Sequence, residues 1–300
     1  MKKRLIYQID SFTNERFKGN PAGVVMNADG LSDDQMQMIA RELNNSETAF
    51  LFAPDTNDCD GIIRYFTPKT EVPTCGHATI AAMYAKAIEE KPDSCVLRFK
   101  TQIGILPFEI MKTEDDYQVI MTQGKFELSP VLEVDRLIEL LAALDLKYSD
   151  TDKRCPIQIA STGHSKVMIG LKRRGKLNAM IPNYAALTDL SKRINCNGYF
   201  VFTFDSDRND TLTYGRMFAP AVGINEDPVT GNAHGPLGGY LIQNKIVDYQ
   251  NNQFEFNGRQ GIEIDRPGVV NVRVNIENDQ PSLIRIKGDA VVIFKTEIEI

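Results

Sequence analysis

The sequence carries one motif twice, and this duplication limits the chain to folds built from two similar halves. Residues 64–77 read RYFTPKTEVPTCGH and residues 216–232 read RMFAPAVGINEDPVTGN. Each copy runs from arginine and phenylalanine through proline and an acid to a glycine that precedes histidine or asparagine. Weaker matches flank the pair in the same order, between 19–25 and 163–169 and between 45–52 and 196–202. An ordered repeat along the chain predicts a duplicated fold of two half-domains.

The hydrophobic pattern predicts an α+β fold in each half. Residues 78–88 and 234–246 are apolar nearly all round, which is typical of helices buried on most faces. Short runs of alternating apolar residues surround both segments and predict strands. We therefore expect two similar half-domains, each a curled mixed or antiparallel sheet around one central helix, with the active site in the cleft between them. The N-terminal half-domain should comprise residues 1–127 and about 290–300, and the C-terminal one residues 128–289.

Composition and charge exclude several classes of function. The net charge of −6 argues against a nucleic-acid-binding surface. Polar residues at positions 8, 10 and 11 interrupt the apolar stretch that an export signal needs after its basic start. No apolar run approaches the roughly 18 residues that span a membrane. The five cysteines are an odd number without a CxxC pair, which is typical of reduced thiols, so we expect a cytoplasmic protein without nucleic-acid or membrane partners.

Residues 75–78 and 230–233 each place a glycine directly before a predicted buried helix. The backbone N–H groups at a helix N-terminus, together with the positive end of the helix dipole, form a site for a carboxylate. The alternative is that both glycines only form tight turns before core helices, but their paired occurrence favours binding. The candidate substrate-binding residues are Cys75, Gly76, Ala78, Thr230, Gly231 and Asn232.

Three ionisable side chains are candidates for catalysis: Glu47, His77 and Asp227. Glu47 precedes an apolar strand, so it is either a solvated loop residue or a general acid/base whose pKa is raised by partial burial. His77 is either structural or able to relay a proton near neutral pH. In the repeat, Glu47 corresponds to Asn197, which cannot ionise, and Asp227 corresponds to apolar Val72. This asymmetry favours Glu47 as the one proton carrier, with Asp227 orienting a substrate amine or hydroxyl.

A thiol is present on only one side of the repeat, because Cys75 corresponds to Thr230. A racemase with two facing thiol bases is therefore disfavoured, and proton movement by a single base is the better hypothesis. His164 is expected to have a structural hydrogen-bonding role, and His234 is compatible with either role. The sequence has no Walker A, GxGxxG or GxSxG motif and no His/Cys cluster at metal-ligand spacing, so we expect neither a cofactor nor a metal.

Four blocks together resemble the phenazine-biosynthesis (PhzF-like) isomerase family. They are YQIDSFTNERFKGNPAGV at 7–24, NNSETAF at 44–50, RYFTPKTEVPTCGHAT at 64–79 and EDPVTGNAH at 226–234. These blocks follow one another in order over nearly the whole chain. The resemblance implies the diaminopimelate epimerase-like fold of two similar halves, and it implies a homodimer.

The resemblance also implies a chemistry. The characterised phenazine member of the family isomerises a dihydro-hydroxyanthranilate by moving a proton between ring carbons on one face, without a cofactor. By that likeness Glu47 is the proton carrier, and His77 and Asp227 contact polar groups of the substrate. Asn232 stands where the characterised member has serine, and Cys75 stands where the epimerases carry one of their two thiols.

The sequence thus favours a cofactor-independent isomerase that acts on a small carboxylate-bearing metabolite, with Glu47 shuttling the proton. One alternative is an amino-acid racemase or epimerase that uses Cys75 with a second group. The other alternative is a non-catalytic protein that binds small ligands.

Overall fold

The computed structural model of the protein describes residues 3–300, which form two compact units. The N-terminal unit comprises the described residues up to Thr122 together with Lys287–Ile300. The C-terminal unit comprises Gln123–Ile286. The chain therefore leaves the N-terminal unit, passes through the whole C-terminal unit, and returns.

Strands and helices are mixed in both units, so the predicted α+β class is confirmed. In chain order the strands are β1 (Lys3–Ser11), β2 (Asn20–Val25), β3 (Thr48–Phe52), β4 (Gly61–Phe66), β5 (Glu71–Val72), β6 (Cys95–Thr101), β7 (Gly104–Lys112), β8 (Tyr117–Thr122), β9 (Glu127–Val131), β10 (Gln158–Ser161), β11 (Lys166–Leu171), β12 (Tyr199–Thr203), β13 (Thr213–Ala219), β14 (Ile224–Asp227), β15 (Gln253–Gln260), β16 (Gly268–Glu277), β17 (Gln280–Gly288) and β18 (Ala290–Glu299). The α-helices are α1 (Asp33–Leu43), α2 (Gly76–Glu90), α3 (Val134–Ala143), α4 (Arg174–Asn178), α5 (Tyr184–Ile194) and α6 (Gly231–Gln243).

The two units repeat one strand topology. In the N-terminal unit β1 pairs with β2 antiparallel, β2 with β3 parallel, β3 with β4 antiparallel, β4 with β6 parallel, and β6 with β7 antiparallel. In the C-terminal unit the strands β10, β11, β12, β13, β15 and β16 pair in the same succession of directions. The short strands β5 and β14 add antiparallel to β4 and β13. The repeat in the sequence is therefore a repeat of the fold, as predicted.

Each unit is built around one buried helix. Helix α2 packs against β1, β2 and β8, and α6 packs against β10, β15 and β16. Small residues let the strands approach α6 closely. A Cβ added at Gly238 would lie 2.8 Å from Cγ2 of Val274, and one added at Gly239 would lie 2.4 Å from Cδ2 of Phe126. Side chains of the same unit therefore occupy the space beside these glycines.

Local sequence decides where the helices begin. The Ser32 side chain accepts from the Gln35 N–H, and the Gln35 side chain accepts from the Ser32 N–H, so a capping box starts α1. Helices α2 and α6 begin at Gly76 and Gly231. The prediction of a helix over 234–246 was therefore too late, because the motif glycine belongs to the first turn and not to a preceding loop.

The cysteines of the chain are thiols rather than disulfides, and all but Cys95 are buried. Burial raises the pKa of Cys155 to about 12, so that thiol stays protonated at neutral pH. Within residues 3–300, no helix combines the length and the apolar character needed to cross a membrane.

Candidate active site

Glu47 is held in a short connection between α1 and β3. Helix α1 ends at Asn44, which adopts the left-handed conformation with φ of 52°. The side-chain amides of Asn45 and Gln8 then hydrogen-bond to each other in both directions, at 2.8 and 2.9 Å. The carbonyl oxygen of Glu47 accepts from the N–H of Gly23 at 3.4 Å, beside the parallel pairing of β2 and β3. These contacts fix the backbone from which the carboxylate projects.

The side chain of Glu47 meets an imidazole and a thiol. Its Oε2 lies 3.4 Å from Nε2 of His77, and the two side chains are 13% and 8% exposed. The other ring nitrogen of His77, Nδ1, lies 3.5 Å from Sγ of Cys75, and Oγ of Ser46 lies 3.3 Å from Nε2. Burial raises the pKa of Glu47, although hydrogen bonds from Ser46 and Cys75 oppose this shift. The carboxyl group is therefore poised to exchange a proton closer to neutral pH than an exposed glutamate.

The N-terminus of α2 positions His77. Cys75 is the N-cap in an extended conformation, and its side chain makes no capping hydrogen bond. The carbonyl oxygen of His77 accepts from Oγ of Ser11 at 2.8 Å, which ties the first turn of the helix to β1. Gly76 and Ala78 are buried on either side of His77 and contribute backbone. The five residues predicted for the N-terminal half of the site thus lie in one unit.

Asp227 occupies the last position of β14. It pairs with Met217 in β13, just as Val72 pairs with Tyr65 in the N-terminal unit. The expected correspondence between Asp227 and Val72 therefore matches the strand register. Asp227 is also buried.

A small hydrogen-bonded group surrounds Asp227. The hydroxyl of Thr230 donates to Oδ2 of Asp227. Nε2 of Gln260 donates to the backbone carbonyl of Asp227 at 2.7 Å, and Oε1 of Gln260 accepts from the N–H of Thr230 at 3.1 Å. Thr230 is the N-cap of α6, but its hydroxyl donates to Asp227 and does not cap the helix. Gly231 and half-buried Asn232 follow in the first turn of α6. These four predicted residues lie together in the C-terminal unit.

The arginine and the acid of the repeated motif pair in both units. Arg64 binds both carboxylate oxygens of Glu71, at 2.6 and 2.7 Å. Arg216 binds both oxygens of Glu226, at 2.8 Å each. The pair in the C-terminal unit is the more buried, and Arg216 also donates to the carbonyl of Met180 at 2.8 Å. The motif thus fixes the turn before each central helix.

The strand register corrects one correspondence. The N–H of Val167 donates to the carbonyl oxygen of Gly198 at 2.8 Å, in the same place as the bond between Gly23 and Glu47. The counterpart of Glu47 is therefore Gly198 and not Asn197. A one-residue shift reverses the direction in which a strand residue points, so this error matters for the site. Gly198 has no side chain at all.

The other two histidines differ in burial. His234 is fully buried, its ring stands edge-on to Phe200 with centroids 4.9 Å apart, and burial lowers its pKa to about 3. It is a neutral residue of the core. His164 lies in the loop before β11, where desolvation of the ring and the charge of Lys166 lower its pKa.

Several residues around the site were not found from the sequence. Ser46 and Gln260 carry hydrogen bonds to His77 and Asp227, and Lys166 lies over Gly198. Ser46 precedes Glu47 directly, so its position was a usable signal. Gln260 lies on a strand outside the repeated motif, and Lys166 lies within the weak match at 163–169, whose pattern did not single it out. The pairing of strands brings these two residues close to Asp227 and Gly198.

Glu47, Cys75 and His77 each offer one ligand atom, and these atoms lie within 4.8 Å of one another. Carboxylate, thiol and imidazole are ligand types of zinc, so this group could also hold a metal ion. The spacing of His and Cys in the sequence predicted no such cluster. It arises because Glu47 reaches the other two from a separate strand connection.

Comparison with known proteins places the chain in a wider group. A family described as phenazine biosynthesis-like protein matches residues 9–296 of the chain. The chain is 54% identical over 298 residues to an uncharacterized isomerase of Clostridium acetobutylicum, with 99% of each covered. It is 34% identical over 282 residues to trans-2,3-dihydro-3-hydroxyanthranilate isomerase of Pseudomonas aeruginosa, with 94% of each covered. The crystal structure of a PhzF-family phenazine biosynthesis protein of Bacillus anthracis matches over 100% of both chains, with a TM-score of 0.90 and 31% identity.

Proposed function

The chain belongs to the phenazine biosynthesis-like protein family of isomerases, and on this premise we propose that it moves a proton on one face of a small carboxylate-bearing metabolite without a cofactor. The resemblance seen in the sequence motifs and the isomerase class are thereby confirmed. The predicted fold of two similar halves, of the diaminopimelate epimerase type, is confirmed with them.

One observation carries the proposal: the carboxyl group of Glu47 is buried beside an imidazole, 3.4 Å from Nε2 of His77. Burial raises the pKa of Glu47, so the protonated form persists to a higher pH than in an exposed glutamate. A general acid/base works best when its pKa is near the working pH. Glu47 is therefore suited both to accept a proton and to return it.

The proposed reaction needs only this one group. The carboxylate of Glu47 takes a proton from a carbon of the substrate, and the electron pair of that C–H bond moves into the adjacent conjugated system. The same carboxyl group then returns the proton to a second carbon on the same face. Substrate and product have the same composition, so no oxidant or reductant is consumed. His77 holds the carboxyl group in place between the two transfers.

The C-terminal half-site supports a one-sided reaction. The position equivalent to Glu47 is Gly198, which carries no acid. The carboxylate of Asp227 accepts a hydrogen bond from the hydroxyl of Thr230, whereas the carboxyl group of Glu47 lies beside an imidazole, so we assign Asp227 to a substrate amine or hydroxyl and not to proton transfer. The N–H groups that begin α2, and separately those that begin α6, are proposed to be able to bind a carboxylate.

A screen for proton exchange tests this function. Small amino acids, hydroxy acids and anthranilate-type carboxylates are incubated with the protein in heavy water, and NMR follows deuterium incorporation and rearranged products. We expect one class to react, and Glu47→Gln to lower the rate on the order of 10²–10⁴-fold. Glu42→Gln is the matched control, because Glu42 is an exposed glutamate of α1 and should leave the rate unchanged.

The outcomes separate the hypotheses. Turnover of the same substrate by Glu47→Gln at a near wild-type rate would remove Glu47 from the role of base. Thermal stabilisation by small carboxylates, with no reaction of any of them, would favour a non-catalytic binding protein.

An amino-acid racemase or epimerase is the second candidate, because Sγ of Cys75 lies 3.5 Å from Nδ1 of His77. An imidazole beside a thiol can take its proton and produce a nucleophilic or basic thiolate. Deuterium incorporation at Cα of an amino acid that is abolished by Cys75→Ser would support this reaction. Persistence of that exchange in Cys75→Ser would reject it.

We also propose, from the family likeness alone, that the protein is a homodimer. Analytical ultracentrifugation of the purified chain should give twice the 33.7 kDa mass of one copy. A single species of 33.7 kDa, the mass of one copy, would contradict the proposal.

A further inference from the structure

Lys166 is a buried lysine near the C-terminal half-site. It is the first residue of β11, and 8% of its surface is exposed. Its Nζ donates to the carbonyl oxygen of Ser165 at 3.2 Å, which is a neutral acceptor. An ammonium group is costly to bury unless anions compensate it.

The side chain of Lys166 lies across a glycine. A Cβ added at Gly198 would be 2.2 Å from Cδ, 2.7 Å from Cε and 3.3 Å from Nζ of Lys166. In the strand register, Lys166 and Gly198 take the places that Ala22 and Glu47 take in the N-terminal unit. The half of the molecule without the glutamate therefore has an amine beside the same backbone position.

Titratable groups near Lys166 come from three elements. Cys196 precedes β12, Asp227 ends β14, and His164 lies in the loop before β11. Burial lowers the pKa of Lys166, whereas the carboxylate of Asp227 opposes this shift, and Lys166 in turn contributes to the lowered pKa of His164. A carboxylate bound at Nζ would supply a further negative charge and would favour the ammonium form.

Resting on the proposed function, we infer that Lys166 binds the carboxylate of the substrate while Asp227 receives its amine. A lysine and an aspartate in one half-site match the two charges of an amino acid or of an aminobenzoate-type compound. The C-terminal half-site thereby selects compounds that carry both groups.

A structural role for Lys166 would be to offset the charge of Asp227. The two roles differ in what loss of the amine does to ligand preference. A structural lysine that is removed would weaken all ligands of the site alike. A binding lysine that is removed would abolish only the preference for a carboxylate.

Three simple probes measure that preference. Anthranilate carries an amine and a carboxylate on one ring, aniline lacks the carboxylate, and benzoate lacks the amine. Calorimetry gives the affinity of each probe for the wild type, for Lys166→Met and for Lys172→Met. Lys172 is the matched control, because it is an exposed lysine just beyond the other end of β11 and its Nζ also donates to a carbonyl.

We expect Lys166→Met to weaken anthranilate binding by about 10- to 100-fold, which is the range for a lost hydrogen bond to a charged group. Aniline should bind equally well to Lys166→Met and to the wild type, and Lys172→Met should bind all three probes like the wild type. Unchanged anthranilate affinity in Lys166→Met would overturn the inference. Equal affinity of the wild type for anthranilate and aniline would overturn it as well.

A second variant moves the lysine without removing its charge. Gly198→Ala places a methyl group where Lys166 now lies, so the side chain must shift while the fold keeps the same composition of charges. Anthranilate affinity should fall in Gly198→Ala, and the anthranilate-to-aniline ratio should fall with it. If Lys166→Met does not fold, this variant decides the matter, and an unchanged ratio rejects the inference.

These binding measurements are independent of turnover. The proposed function fails if Glu47→Gln retains full isomerase activity, whereas the inference about Lys166 fails if the carboxylate preference survives its removal. Glu47→Gln should bind anthranilate within a fewfold of the wild type, since it leaves the C-terminal half-site intact.

Discussion

The two half-sites share a backbone and differ in chemistry. In the N-terminal unit, the connection before β3 carries Glu47, and the first turn of α2 carries His77. In the C-terminal unit, the same two places hold Gly198 and Asn232, and the acid is Asp227 at the end of β14. The two copies therefore keep one backbone frame and differ in the side chains that it carries. Under the proposed function, one half moves the proton, and the other recognises polar groups that do not react.

The largest effects are expected from substitution of the two acids, Glu47 and Asp227. Glu47→Gln should reduce kcat on the order of 10²–10⁴-fold, because a positioned acid/base is lost. Asp227→Asn should act mainly on KM, raising it by about 10- to 100-fold, because a charged hydrogen bond to the substrate is lost. Steady-state kinetics on the substrate found in the screen measures both. A reversed pattern, with kcat lost in Asp227→Asn, would exchange the roles of the halves.

The next comparison uses the arginine–glutamate pairs that both halves retain. Arg216→Met should lower the free energy of unfolding by about 3–5 kcal/mol, because Glu226 is left as a buried charge without its partner. Arg64→Met should cost only about 1 kcal/mol, since the Arg64 pair is partly exposed. Urea unfolding at pH 7 gives both values. Equal losses of unfolding free energy would mean that the greater burial of the Arg216–Glu226 pair does not make its loss more costly.

A third comparison concerns pH. The pKa of His234 is about 3 in the folded protein, compared with 6.5 for the ordinary residue. Below pH 6.5 the unfolded chain therefore binds a proton that the folded chain does not. The free energy of unfolding then decreases by about 1.4 kcal/mol for each unit by which the pH is lowered. Between pH 6.5 and 5 the wild type should lose about 2 kcal/mol more than His234→Leu. Urea unfolding of both proteins at the two pH values measures this difference. Equal losses of stability in the two proteins would mean that a group other than His234 causes the pH dependence.

The smallest expected effect concerns the thiol. Cys75→Ser should keep isomerase activity within about tenfold of the wild type, because the hydrogen bond of Cys75 to Glu47 is worth about 0.5–1.5 kcal/mol. Thr230, its counterpart in the C-terminal unit, has a hydroxyl already. A loss of several orders of magnitude in Cys75→Ser would make the thiol a base and favour the racemase.

Much of the frame follows from local sequence. The capping box at Ser32 and the apolar run after Gly76 predict α1 and α2 because both signals lie within a few residues. Helix α5 went unpredicted, although Asn183 caps it and Leu187 and Leu190 lie three residues apart on its buried face. That helix could have been found by the same rules.

The site was harder to predict because strand register decides it. The repeat located Glu47, His77 and Asp227 as candidates, because they lie in segments that occur in both copies of the repeat. It could not align Glu47 with Gly198, because the flanking similarity is weak and a shift of one residue is invisible in it. Lys166 stands within the weak match at 163–169, but nothing in that segment distinguishes it from a surface lysine.

The return of the chain to its first unit has a consequence for biosynthesis. Strand β1 pairs with β18 along its whole length, and Lys3 and Glu297 are 294 positions apart. While the ribosome is still translating, β1 has an open edge that must wait for the last strand to emerge. The C-terminal unit is complete in sequence before that happens. A nascent chain arrested before residue 290 should therefore have a C-terminal unit that can fold and an N-terminal unit whose unpaired strand edge binds chaperones.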